Sequence, residues 1–257
     1  MALLTVGCEA WDGALPFCHV SSLGEFLMHC NICGDTAFLD MPKRPLARCA
    51  GCGSLERTRA AALHIKALGL AEGAHILHFA PERGLAKLLQ GIGGENYRAV
   101  DIAPEAYADV GVSVGAFDLC RDGFHLKPDS FDLIVHNHVL EHIACNYTVV
   151  LTQLARSLKP DGVMLFSVPI VGDDYWEEIT RPETINLERF GDYGHRRHFG
   201  RAFIADTLGM LFHMDAAYDA TRNFPADTLR DANIPERLWH GFSGSSIFAV
   251  RRGDLRI

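Results

Sequence analysis

At 257 residues, 48% of them hydrophobic, the chain is long enough for an α/β domain with a small added module and apolar enough to bury a core. A formal charge of −8 argues against coating duplex nucleic acid or docking on anionic lipid through a basic surface. No apolar run reaches the roughly 18 residues of a membrane span, and residues 1–9 lack the basic start and apolar stretch of a secretory signal, so a cytoplasmic protein is expected.

In chain order, residues 1–29 show no clear period, although Trp11, Phe17, Phe26 and Leu27 are apolar enough to pack. Four of the eight cysteines then form two close pairs, Cys30-x2-Cys33 and Cys49-x2-Cys52, while Cys8, Cys18, Cys120 and Cys145 are scattered. In a reducing compartment two such pairs point to metal rather than to disulfides. Four thiolates close the tetrahedral shell of Zn2+ and leave no position for a substrate, so Cys30, Cys33, Cys49 and Cys52 are expected to hold a structural ion. Gly34, Gly51 and Gly53 give the tight turns that such knuckles need. A helical pattern rich in Ala, Leu and Arg follows over residues 55–70, bracketed by Gly69 and Gly73.

From residue 74 onward, short apolar runs alternate with helical spacing. Strands are expected at 75–79, 97–100, 110–114, 131–135, 163–168, 211–217 and 246–250. Helices are expected after Gly84, at 147–158 and at 199–209. Such alternation predicts an α/β fold, a mostly parallel sheet with helices on both faces. Ligands of these sheets sit at the carboxyl ends of the strands. Here those ends carry Phe79-Ala80-Pro81-Glu82-Arg83-Gly84, then Asp101-Ile102, Phe117-Asp118-Leu119 and Asn137-His138.

The succession Phe131-Asp132-Leu133-Ile134-Val135, Val139-Leu140-Glu141-His142 and Leu158-Lys159-Pro160-Asp161-Gly162 resembles the class I S-adenosylmethionine-dependent methyltransferases. The resemblance covers about 74–168 well and the remainder loosely. It implies a Rossmann-like, mostly parallel seven-stranded sheet carrying a small N-terminal zinc-binding module. Residues 1–66 would form the module and its connecting helix, and 67–257 the methyltransferase domain. By the same resemblance, Phe79, Ala80, Pro81, Glu82 and Gly84 line the methionine end of the cofactor. Asp101 and Ile102 hold ribose and adenine, Asp118 and Leu119 close over the adenine, and Asn137 and His138 border the sulfonium. One departure stands out: His78, Ala80 and Glu82 occupy the places of the usual strand acid and Gly-x-Gly turn. Glu82 then either binds the cofactor's ammonium in place of the missing acid or caps the following helix. Asp118 has an alternative as a plain turn residue.

Residues 169–199 form a long irregular stretch, the kind of loop that carries function in compact domains. The stretch resembles the lid of a subgroup that combines a C-x-x-C…C-x-x-C-G-S-L-E-R-x-R start, here Cys30 to Arg59, with a lid matching Phe190 to Gly200. Methyl transfer to a hydroxyl requires alignment, exclusion of water and removal of a proton. Imidazole suits the proton at neutral pH, and His195 is the first candidate, with His138 next and His142 and His198 also within the motifs. Tyr175, Trp176, Arg196, Arg197 and His198 are expected to hold the substrate, unless the loop is only a solvated surface. A metal at His195 and His198 lacks an evident matching acid. The expected activity is methylation of an oxygen, or of nitrogen or sulfur, on a small molecule such as a sugar. One alternative is an rRNA or tRNA methyltransferase, since a four-cysteine module ahead of this fold also resembles certain ribosomal RNA base methyltransferases; the charge argues against it. Another, suggested by the altered first motif, is a non-catalytic cofactor-binding or zinc-scaffold protein.

Overall fold

The computed structural model describes residues 28–180 and 194–256, with the backbone of two short paired strands at 7–8 and 18–19. Trp11, Phe17, Phe26, Leu27 and lid residues 190–193 lie outside the described residues. A hairpin of β1 (Phe38–Met41) and β2 (Arg44–Cys49) stands between the two cysteine pairs. Next comes α1 (Glu56–Ala67), an Ala-rich segment with an acid in its first turn and basic residues in its last, as helix propensity and the helix dipole favour.

The expected alternation follows, through β3 (Ile76–Phe79), α2 (Arg83–Gly93), β4 (Tyr97–Asp101), β5 (Val114–Ala116), β6 (Phe131–Asn137), α3 (Tyr147–Ser157) and β7 (Leu158–Ser167). The lid contributes a two-residue ladder, β8 (Trp176–Glu177) with β9 (Arg197–His198). The chain ends through two short helices, α4 (Leu208–Leu211) and α5 (Ala226–Asp231), and β10 (Phe248–Arg251). Across the central sheet the order is β10-β7-β6-β3-β4-β5, parallel throughout except for β10 against β7.

Three details differ from expectation. Six strands form the sheet among the described residues rather than seven, because Phe212 makes only an isolated bridge to Leu255 where a strand over 211–217 was expected. The helix expected at 199–209 is a 3-10 turn at Arg201–Phe203 followed by α4. The third strand sits at Val114–Ala116, on the far side of Gly111, whose φ is 86°.

Side-chain alternation along the strands divides the core into two layers. Leu133, Val135 and Leu165 pack with α1 and α2, through Ala61, Ile65, Leu85 and Leu89. Ile134, Met164 and Phe166 pack on the other face with Leu151 and Leu154 of α3. Helix α3 starts where Asn146 accepts a hydrogen bond from the Thr148 amide, 2.9 Å away, a regular N-cap. Between α3 and the body of β7, a Cβ on Gly162 would lie 2.6 Å from the Phe131 carbonyl oxygen, so that turn admits only glycine. Among the described residues, no helix is long and apolar enough to cross a membrane.

The N-terminal module is fastened through α1. Arg59 is fully buried, and its guanidinium donates to the carbonyls of Ala232 at 2.8 Å, Ala47 at 3.0 Å, Ser54 at 2.8 Å and Asn233 at 2.7 Å. Removing the donor strands these acceptors, at about 1–3 kcal/mol each where buried. Arg59→Met should therefore lower the unfolding free energy by more than ~3 kcal/mol in a denaturant titration. A wild-type midpoint would show that the four bonds are dispensable.

Candidate active site

The carboxyl ends of β3, β4 and β6 open on a cavity of about 650 Å3, a volume typical of small-molecule sites. Its walls include Phe79, Ala80, Asp101, Ile102, Tyr107, Phe117, Asp118, Leu119, His138, His142 and Arg196. A hollow of about 540 Å3 at His75, Ser130 and Lys159 lies at the amino edge of the sheet, away from the ligand crevice of such folds.

Two non-glycine residues at the cavity take left-handed backbone conformations, Ala80 at the end of β3 with φ 47° and His138 at the end of β6 with φ 54°. Each costs about 1–2 kcal/mol, and strain of this kind gathers at functional sites. The His138 Nε2 lies 2.8 Å from the Gly244 carbonyl oxygen. A carbonyl only accepts, so Nε2 carries the proton and Nδ1 keeps its lone pair, 3.7 Å from the Glu141 carboxylate. Burial, with Arg57 next in effect, lowers the His138 pKa to about 3.

The Asp101 carboxylate is held by the Ala103 amide at 2.8 Å and the Tyr107 hydroxyl at 3.0 Å, each oxygen retaining a further acceptor position. Burial and the adjacent Asp101 raise the Tyr107 pKa, so the phenol stays protonated and donates. Ile102 is 71% exposed, an uncovered apolar surface on the cavity wall. Asp118 accepts from the Cys120 amide at 2.9 Å; it makes a local turn and also lines the cavity. Cys120 and Cys145, scattered in the sequence, are joined by a disulfide with Cα atoms 5.8 Å apart. The bridge ties the Asp118 loop to the segment leading into α3.

Pro81, Glu82, Gly84 and Asn137 are not among the residues lining this cavity. Glu82 makes no side-chain cap to α2. Its carboxylate instead accepts from Thr58 Oγ1 at 2.9 Å and Asn137 Nδ2 at 3.1 Å and pairs with Arg57 at 3.1 Å. A Cβ on Gly84 would approach Cys52 Sγ to 3.2 Å and Ile32 Cγ2 to 3.3 Å, so this glycine seats the second cysteine knuckle against the start of α2. His78, in the place of the usual strand acid, is a core residue whose Nδ1 meets the Tyr97 hydroxyl at 3.0 Å.

The four motif cysteines converge. Sγ separations are 3.5 Å for Cys30–Cys52 and for Cys33–Cys49, and all four sulfurs lie within 4.8 Å of one another. A tetrahedron with bonds of about 2.3 Å has edges of ~3.8 Å, so the donor set fits one closed Zn2+ shell.

The lid residues divide by burial. Arg197, expected to hold substrate, is fully buried. It donates to Glu177 Oε1 at 2.8 Å, to the Cys145 carbonyl at 2.9 Å and to the Leu140 carbonyl, with its guanidinium over Tyr147. With these bonds made it is a structural clamp and cannot anchor a ligand in the cavity. Tyr175 stacks edge-on to Phe199 against the core, and the more exposed Trp176 pairs with His198 in the β8–β9 ladder. Arg196 reaches the cavity wall, and its amide donates to the Glu141 carbonyl at 2.7 Å.

That backbone bond brings His195 beside His142, with ring centroids 4.8 Å apart. The His195 Nδ1 lies 3.4 Å from His198 Nε2. Burial, then the neighbouring His142 and His198, lowers the His195 pKa to about 4. The acid that sequence reasoning did not find for this histidine is Glu141. Its carboxylate is fully buried, neither oxygen has a hydrogen-bond partner, and burial raises its pKa to about 8. Its signal was present as the acid of Leu140-Glu141-His142, legible as a motif but without an assigned role.

If Arg197 is a clamp, Arg197→Ala should lower the unfolding free energy by ~3 kcal/mol or more, since two buried carbonyls lose their donor. A variant as stable as wild type and altered only in substrate affinity would restore the anchoring role.

A family described as a methyltransferase domain matches residues 53–214, more than half of the chain. No curated protein matches. Solved structures similar to this chain include an S-adenosylmethionine-dependent methyltransferase from Mesorhizobium loti, at 16% identity and TM-score 0.44, over 78% of this chain and 98% of that one. One from Archaeoglobus fulgidus is similar at 15% identity and TM-score 0.43, over 77% and 93%. The 1,6-didemethyltoxoflavin-N1-methyltransferase of Burkholderia thailandensis, with its bound substrate and S-adenosylhomocysteine, is similar at 21% identity and TM-score 0.39, over 60% and 65%; the chain thus spans under two thirds of that protein. With the family match running from the second cysteine knuckle past the lid, the chain belongs to the methyltransferase domain family and is a class I S-adenosylmethionine-dependent methyltransferase.

Proposed function

We propose that this enzyme methylates an oxygen of a small hydroxylated molecule. The observation carrying this reading is one cavity that joins an adenosine-like wall to the imidazoles of His138 and His142. In this reading Asp101 accepts the ribose hydroxyls through its remaining acceptor positions, while Ile102 and Leu119 cover the adenine beside Asp118. Ala80 and His138 flank the sulfonium. When bound, S-adenosylmethionine supplies an electrophilic methyl group whose bond to sulfur breaks as the bond to oxygen forms, the electron pair returning to sulfur.

The chain's own residues align the acceptor in line with that bond, exclude water and take up the acceptor's proton. His195 and His138, with His142 and His198 beside them, are the groups proposed to receive it. Two observations support a small molecule over RNA. The cavity is of metabolite size, and among the described residues Arg121 and Arg196 are the cations on its wall, fewer than the basic track a single strand follows.

Asp101→Ala should weaken S-adenosylhomocysteine binding at least ~10-fold in calorimetry, because charge-assisted hydrogen bonds contribute about 1.5–3 kcal/mol each. An unchanged dissociation constant would take Asp101, and with it the adenosine wall, out of the proposal.

The cysteine cluster is proposed to hold one structural Zn2+ per chain. Cys49→Ser should lose the zinc, lower stability and weaken cofactor binding secondarily, through the Cys52–Gly84 contact at the start of α2. Metal analysis finding no zinc in purified protein, together with a Cys49→Ser variant as stable as wild type, would remove the ion from the account.

A further inference from the structure

We propose that Glu141, His142 and His195 form a second metal centre, separate from the cysteine cluster, which takes a divalent first-row transition ion beside the cavity. One ligand atom from each of the three lies within 4.8 Å of those of the other two. Bonds from imidazole nitrogen and carboxylate oxygen to such an ion are about 2.0–2.2 Å, so small rotamer adjustments bring all three onto one ion.

The strongest independent observation is the carboxylate. Glu141 is fully buried, and both of its oxygens lack a hydrogen-bond partner. The His138 and His142 nitrogens stand 3.7 and 3.9 Å from it, beyond hydrogen-bond length. Burying a carboxylate without partners is costly, and buried charges are normally paired or bound to metal. A cation between Glu141 and the two imidazoles removes that cost.

The surroundings fit a metal shell. The His195 Nδ1 stands 3.4 Å from His198 Nε2, the kind of neighbouring contact by which a metal-bound histidine is oriented. The backbone bond from Arg196 to the Glu141 carbonyl fixes the lid histidine against the other two ligands. Two imidazoles and a carboxylate suit first-row transition ions, while Mg2+ and Ca2+ favour all-oxygen shells. Three protein ligands also leave coordination positions open, unlike the closed four-thiolate site.

His142 lies on the cavity wall, so an open position there receives a substrate oxygen. A hydroxyl on a divalent ion loses its proton far more readily than in water; His195 then serves as a ligand, and of the two proposed acceptors His138, whose Nδ1 keeps its lone pair, takes the proton. This catalytic use rests on the methyl-transfer reading above; the binding of the ion does not.

The test is a titration of zinc-replete, full-length protein with Co2+, followed by calorimetry and visible absorption, with S-adenosylhomocysteine binding measured on the same samples. One equivalent of Co2+ should bind with d–d bands and no sulfur-to-metal charge transfer. Glu141→Gln and His195→Ala should each weaken it at least ~100-fold, since loss of even an outer-shell partner costs about 10–100-fold. Both variants should keep their S-adenosylhomocysteine affinity, showing that they fold. The centre is overturned if wild type takes up no Co2+ beyond thiolate-bound ion, or if the second equivalent binds both variants as tightly as wild type. Failure to bind S-adenosylhomocysteine would instead strike the cofactor reading and leave the cobalt result standing.

Discussion

The buried guanidinium of Arg59 is the point at which the two parts of this molecule become one. Its donors reach carbonyls in the β2 strand, the second cysteine knuckle and the 232–233 segment, stretches that are also joined by the Asn233 side chain on the Leu46 carbonyl. A charge so far from water is tolerable because carbonyl dipoles satisfy its N–H groups, and because Glu56 lies close enough to offset its sign. Immediately before it on α1, Arg57 and Thr58 hold Glu82, and Glu82 holds Asn137 at the end of β6. The helix expected only to connect the cysteine module to the catalytic domain therefore also covers one face of the sheet and braces the first turn of the cofactor crevice.

Much of this architecture was legible because it rests on local pattern. The runs that became β3, β4 and β6 declared themselves by apolar residues between turn residues, and their ends carried Ala80, Asp101 and His138 to the same cavity. What escaped was settled by contacts between distant segments. Arg197 sits beside histidines in a polar-looking loop, and nothing local reveals that Leu140, Cys145 and Glu177 enclose it. Gly84 reads as a cofactor-loop glycine, yet its missing side chain makes room for Cys52, more than thirty positions earlier. Glu141 was visible as a motif letter, but its nearness to His195 depends on the lid, through the bond from the Arg196 amide to the Glu141 carbonyl. The seventh strand failed for a related reason: the 211–217 segment has the apolar content of a strand, but only Phe212 finds a bridging partner, in Leu255.

The two clusters proposed as metal sites differ in their chemistry. Four soft thiolates on glycine-relieved turns make a closed shell suited to holding a short segment together. His138 and His142 line the cavity, with Glu141 and His195 next to them, where backbone strain at His138 and a fixed tautomer already mark the end of β6 as a constrained place. Separate positions for architecture and for chemistry let the lid vary without disturbing the knot.

The Cys120–Cys145 bridge puts a constraint on how such a chain is made. It requires an oxidising step, whereas the four motif cysteines are useful only as thiolates, and a bare thiolate cluster is itself readily oxidised. The two requirements are compatible in one order of events. If the knot holds the proposed zinc, the metal enters while the polypeptide is still reduced, and the bridge between the cavity loops closes afterwards, when the other thiols are already shielded. Maturation of this protein is in that sense a sequence with a direction, and a preparation that reverses it traps sulfur in the wrong partnerships.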